Sequence, residues 1–120
     1  MSQVKALFLN CTLKKSPNVS HTEKLIDIVA KEMQRLGAET KTIRVVDFTI
    51  PFSIHTHAKD EPKDDWPDIH KQILDSDIIV ICSPIWFGVR ASVTQLVLER
   101  ISGMFDERDP KSGQYPLYNK

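Results

Sequence analysis

Glycine is scarce in this chain, with 4 in 120 residues. Neither a G-x-x-x-x-G-K-[ST] loop nor a G-x-G-x-x-G turn is present. The first absence excludes a P-loop nucleotidase, and the second argues against a dinucleotide-binding Rossmann turn. Cysteine is scarce too. Cys11 and Cys82 are isolated thiols without a CxxC pair or the density of a disulfide scaffold, so a reducing, cytoplasmic setting is expected. No apolar run approaches the roughly 20 residues that span a bilayer. Asn10 and the early lysines break the residue order of a signal peptide. Charge of neither sign is in excess: 16 basic and 16 acidic residues leave no footprint for nucleic acid or an anionic membrane. The length fits one domain and is short for a complete doubly wound α/β fold.

What is present is an alternation of strand and helix patterns. Val4 to Leu9 reads as a buried strand and is followed by a polar loop, Asn10 to Val19, broken by Pro17. Ser20-His21-Thr22-Glu23 fits a capping box, with the serine oxygen on the third helical amide and the glutamate reaching back. Leu25, Ile28, Val29, Met33 and Leu36 then recur at helical spacing as the expected core face, and Gly37 suits the left-handed position after the helix. Thr40 to Val46 is a second, more polar strand, expected at a sheet edge. A long connection from Asp47 to Asp65 leads to a short helix starting at Asp65 or Asp68, with Trp66-Pro67 in its first turn. The apolar run Ile78 to Cys82 reads as a buried parallel strand, because a strand covered on both faces loses its alternation. It stops in the loop Ser83-Pro84-Ile85-Trp86-Phe87-Gly88. Val93, Leu96, Val97, Ile101 and Met104 mark a last helix ending near Gly103, and the chain from Asp106 to Lys120 reads as polar loop.

The order β-α-β-α-β-α implies a parallel sheet built by right-handed crossovers. With the second strand the most polar, the spatial order is 2-1-3. That is the flavodoxin-like arrangement, whose switch point lies between strands 1 and 3. Two loops meet there, Asn10–Val19 and Ser83–Gly88. The first supplies hydroxyls (Thr12, Ser16, Ser20, Thr22) and cations (Lys14, Lys15) ahead of a helix N-terminus, where free amides and the helix dipole favour an anion. A polar loop that merely caps its helix stands equally open, since serine and threonine are common there. Few glycines and many hydroxyls suit a phosphomonoester better than a pyrophosphate. The second loop offers flat apolar surface and backbone amides for a planar cofactor, and ordinary packing or a subunit interface is its plainer use.

Other features carry less. His55, His57 and Asp60 lie in a loop without further metal-ligand spacing, so no metal is expected. His70 and His21 have no triad partner that the sequence reveals, and the thiols of Cys11 and Cys82 read as small core groups.

These residues resemble the flavodoxin-like NAD(P)H-dependent FMN reductase and quinone reductase family. Cys11-Thr12-Leu13-Lys14 stands where that family has Gly-Ser-x-Arg. Ser20-His21-Thr22 occupies the later Gly-Asn-Thr or Ser-x-Thr segment. Pro84-Ile85-Trp86-Phe87-Gly88 matches its Pro-x-Tyr/Trp-x-x loop, and Glu99-Arg100 stands at an Asp-Arg pair. The resemblance implies that Thr12, Lys14, Ser20, His21 and Thr22 hold an FMN phosphate. Pro84, Ile85, Trp86, Phe87 and Gly88 would line the ribityl chain and isoalloxazine. It also implies hydride transfer from NAD(P)H through FMN to a quinone, nitro compound or flavin, with no catalytic side chain, and a homo-oligomer such as a dimer. The alternative is a non-catalytic electron carrier or a degenerate interaction module. No cysteine cluster follows strand 2, which argues against the iron–sulfur branch. The chain departs from the family at Cys11, at Glu23 beside the expected phosphate, and in its extent. Family members run on through strands 4 and 5, so residues 1–120 resemble an N-terminal portion whose third strand is an open apolar edge.

Overall fold

The computed structural model describes residues 3–113, so the last seven positions of the expected polar tail lie outside the described residues. The elements are β1 (Lys5–Asn10), α1 (His21–Arg35), β2 (Glu39–Arg44), α2 (Trp66–Leu74), β3 (Ile78–Cys82), β4 (Ile85–Trp86), β5 (Val89–Arg90) and α3 (Ser92–Ile101). Short 3₁₀ turns follow β2 at Val45–Asp47 and α3 at Ser102–Asp106.

The main sheet is parallel in the order β2-β1-β3, the flavodoxin-like order expected from the polarity of the strands. β1 is its centre because its side chains are apolar on both faces. Leu7 and Leu9 pack with Ile43, Val45, Trp66, Ile69, Ile73 and Val97 on one side. Ala6 and Phe8 pack with Ile26 and Ala30 of α1 on the other. Each fully buried Leu, Ile or Phe contributes about 1.5–3 kcal/mol through water exclusion, so this layering is the main source of stability.

The ends of α1 follow the local chemistry of the sequence. Ser20 Oγ accepts from the Glu23 amide at 3.1 Å. At the other end Gly37 has φ +98°, and the amides of Gly37 and Ala38 close on the carbonyls of Gln34 and Met33 at 2.9 and 3.0 Å. This is a Schellman closure, which needs a residue free of a Cβ penalty.

The expected core face of α1 is wrong in part. Ile26 and Ala30 are buried, with Met33 packed against them, whereas Leu25, Ile28, Val29 and Leu36 are exposed. The apolar stripe of this helix is wider than the three-stranded sheet beneath it can cover. For β3 the outcome is the open apolar edge that the resemblance implied, and the strand covered on both faces that its apolar run implied is corrected. It lies at the sheet edge and is only half covered, with Ile78 40% and Ile81 36% exposed. An apolar groove of about 330 Å³ runs between the two elements, lined by Val4, Met33, Leu36 and Ile78 among others.

The long connection after β2 is irregular but firmly held. The fully buried Arg100 of α3 donates to the carbonyls of Pro51, His55 and Thr56, to the Asp64 carboxylate, and lies 5.7 Å from the centre of the Trp66 ring. His55 and His57 are both exposed on this connection. Glu107 adds a second tie, bonding to Thr56 Oγ1 and to His70 Nε2.

Candidate functional site

β1 and β3 are neighbours with Asn10 opposite Cys82, and the Cys11 amide donates to the Cys82 carbonyl at 2.8 Å. The two loops singled out in the sequence therefore leave the carboxyl edge of the sheet side by side. This is the crevice where ligands of open α/β sheets sit.

The first loop is organised by Asn10, which the sequence pattern places as the loop's first residue with no role of its own and which the structure makes the last residue of β1. Its side chain is fully buried. Asn10 Oδ1 accepts from the Thr12 amide at 3.0 Å, while Nδ2 donates to Glu23 Oε2 at 2.5 Å and reaches Ser20 Oγ at 3.5 Å. Glu23 thus does not complete the expected capping box. Its carboxylate turns to Asn10 and lies 3.8 Å from Arg44 Nη2. Both partners offset the charge that would repel an anion at the start of α1.

The hydroxyls divide into two groups. Thr12 Oγ1 accepts from the Lys14 amide and Ser20 Oγ from the Glu23 amide, so each hydroxyl proton remains available to donate. The amides of His21 and Thr22 stand in the first turn of α1, where no intrahelical acceptor exists. Lys14 and His21 are exposed and Thr22 is half-buried, all on the rim of this loop. Ser16 is different. Its amide and hydroxyl both donate to Asp47, at 2.9 and 2.5 Å, so it is withdrawn from the cradle. These two bonds, with the nearby Arg44 and Lys15 charges, hold the Asp47 carboxyl below its ordinary pKa. The donor set that remains suits a phosphate.

The second loop is not the simple loop expected but a hairpin. β4 and β5 pair antiparallel, with Ile85 opposite Arg90 and Trp86 opposite Val89. Phe87 and Gly88 form its two-residue tip with φ of 53° and 78°. A type I′ turn demands two positive φ values, which glycine adopts freely and phenylalanine does not. Ser83 closes the base by accepting from the Ala91 amide at 3.0 Å and donating to the Pro84 carbonyl at 2.8 Å. Ile85, Trp86 and Phe87 are exposed, and Phe87 extends fully into solvent. The hairpin was invisible in the sequence because Trp-Phe-Gly-Val lacks the usual Asn-Gly turn signal.

Neither thiol belongs to this chemistry. Cys11 is buried in the core beside Leu9 and Val97, and loss of solvation pushes its thiol up to about 11. Cys82 is half-buried, and burial followed by the Glu23 charge raises it as well. A thiolate nucleophile needs the opposite environment.

Comparison with known proteins identifies the family and the fold. The family described as NADPH-dependent FMN reductase matches residues 4–120. The chain is 36% identical over 122 residues to a Mycobacterium bovis protein described as the divalent metal cation transporter MntH, covering 98% of this chain and 17% of that protein. Among the described residues no helix is long and apolar enough to cross a membrane. It is also 35% identical over 124 residues to the 8-demethyl-8-aminoriboflavin-5′-phosphate synthase of Streptomyces davaonensis, covering 98% of this chain and 48% of that enzyme. Among solved structures, RosB with bound 8-demethyl-8-formylriboflavin-5′-phosphate superposes with a TM-score of 0.83 at 34% identity, covering 98% of this chain and 49% of RosB. The chain therefore spans half or less of the length of these relatives.

Proposed function

The chain belongs to the NADPH-dependent FMN reductase family, and from that premise we propose that it serves an FMN-dependent oxidoreductase that takes hydride from NAD(P)H and passes it to a small acceptor such as a quinone, nitro compound or flavin. The observation that carries this reading is the juxtaposition of an anion-suited loop and an aromatic hairpin at the ends of the adjacent strands β1 and β3. FMN, when bound, supplies the redox chemistry.

The residues of this chain hold and orient it. Thr12, Ser20, His21 and Thr22, with Lys14 at the rim, take the phosphate through hydroxyl protons, unpaired amides and charge. Pro84 to Gly88 present backbone amides and the exposed faces of Ile85, Trp86 and Phe87 to the ribityl chain and ring. No side chain is assigned as acid or base.

Titration with FMN tests the reading. Uptake with quenching of flavin fluorescence is expected, followed by bleaching of the yellow colour when NADPH or NADH is added without oxygen. A chain that takes up no FMN at tens of micromolar ligand sinks it.

The exposed apolar flank of α1 and the half-covered β3 favour one further element of the reading. A strand paired to β3 and a helix over Leu25 and Ile28 would complete the sheet, and the Streptomyces enzyme and RosB each carry about as much chain again. The same surface suits self-association, as in a homodimer. If FMN fails to bind while the chain associates stably, an interaction module becomes the better description.

A further inference from the structure

The cradle loop is gripped by two residues outside it, Arg44 at the end of β2 and Asp47 in the 3₁₀ turn that follows. Arg44 Nη1 donates to the carbonyls of Lys14 and Asn18 at 3.3 and 2.8 Å, and Arg44 Nη2 lies 3.8 Å from Glu23 Oε2. Its side chain is only 13% exposed. Three positions further on, Asp47 takes the amide and hydroxyl of Ser16, which lies between those two carbonyls in sequence.

The chemistry of this grip is specific. A loop that receives a phosphate must turn its carbonyl oxygens away, because each carries partial negative charge toward the anion. A guanidinium fork can take two carbonyls and face a carboxylate at once, whereas an ammonium is a single point charge. The acidic partner, Asp47 in the 3₁₀ turn that follows β2, restrains the middle of the loop through the N–H and O–H of Ser16. The pair therefore holds two carbonyls of the loop through Arg44 and two of its donors through Asp47.

Resting on the FMN reading above, we propose that Arg44 is a positioning residue for the cofactor phosphate. It withdraws the Lys14 and Asn18 carbonyls and offsets Glu23, so that Thr12, Ser20 and the first amides of α1 meet the phosphate without competing negative charge. Asp47 assists by fixing Ser16. Arg44 touches no part of the ring-binding hairpin, so its effect falls on ligands that carry the phosphate and spares those that do not.

Parallel titrations with FMN and riboflavin read this directly, on the wild type and on Arg44→Gln, Arg44→Lys and Asp47→Ala. Arg44→Gln should weaken FMN by about tenfold or more, the size of a lost charge-assisted bond, and leave riboflavin unchanged. Arg44→Lys restores the charge opposite Glu23 but not the fork, and should recover only part of the loss. Far-ultraviolet circular dichroism checks the fold of each variant. If Arg44→Gln does not fold, the same FMN-selective loss is required of Asp47→Ala.

Equal weakening of both ligands would make Arg44 an ordinary structural residue and overturn the proposal, as would unchanged FMN binding in Arg44→Gln. A wild type that prefers FMN while the variants lose no discrimination sinks the role of Arg44 alone. A wild type that binds riboflavin as well as FMN, or neither, sinks the phosphate cradle itself and this role with it.

Discussion

Arg100 Nη2 lies 2.7 Å from Asp64 Oδ2, and the guanidinium is wholly buried among three carbonyls of the connection it pins. This one pair ties α3 to the long segment between β2 and α2. Burial alone would raise the Asp64 carboxyl. Bonds from Arg100 and from the Ala58 and Trp66 amides outweigh it, so the carboxyl sits below its ordinary pKa of 3.8.

Replacing Arg100 by Ala leaves the Asp64 carboxylate and three carbonyls without their partner. The loss should be about 3–5 kcal/mol in urea unfolding, the range for breaking one side of a buried pair. The pH dependence has a definite sign. Because the folded carboxyl is depressed, the unfolded chain binds the proton more readily, and stability rises with pH through this group. Its contribution is complete above the ordinary value of 3.8 and is lost as pH falls through the lower folded value. Asp64→Asn should therefore be destabilised at neutral pH and show a flatter acid limb. An unaltered acid limb would remove Asp64 from the acid response.

Gly103 is required by space. A Cβ placed there would meet Thr56 N at 2.7 Å and the His55 carbonyl carbon at 2.9 Å, both backbone atoms that cannot swing aside. Gly103→Ala should cost about 1–3 kcal/mol by overpacking and loosen the connection after β2. Chemical denaturation gives the first quantity, and proteolysis near His55 reports the second. A variant as stable as the wild type would mean that the connection shifts freely.

Phe87 is held at φ 53° with its ring in solvent. Asparagine tolerates this conformation better, so Phe87→Asn should stabilise the hairpin by up to about 1 kcal/mol. On the flavin reading the same change removes a ring contact and weakens FMN. Opposite movement of melting temperature and affinity is the expected signature, and a drop in both would show that the ring packs where the strain argument has it free.

Leu25 and Ile28 are 62% and 68% exposed on α1. Leu25→Lys with Ile28→Glu should change the stability of the monomer by less than about 0.5 kcal/mol. If this flank is a contact between copies, the double variant should scatter as a smaller species at high concentration. A large loss of monomer stability would contradict the exposure.

Local chemistry in the sequence was enough for the strand–loop–helix frame, the Ser20 cap, the Gly37 closure and the sheet order. Each depends on neighbours in the chain or on the polarity of a whole strand. The meeting of the two loops followed from that order. Tertiary structure decided the rest. Periodicity gives the width of an apolar stripe but not what lies under it, so Ile26 and Ala30 are core while Leu25 and Ile28 are not. The partners of Ser16 and Glu23 depend on β2 lying beside β1, which brings Arg44 and Asp47 to a loop some thirty positions earlier. The hairpin depends on Ser83 bonding to Ala91 across its base, a closure that no adjacent pair of residues announces.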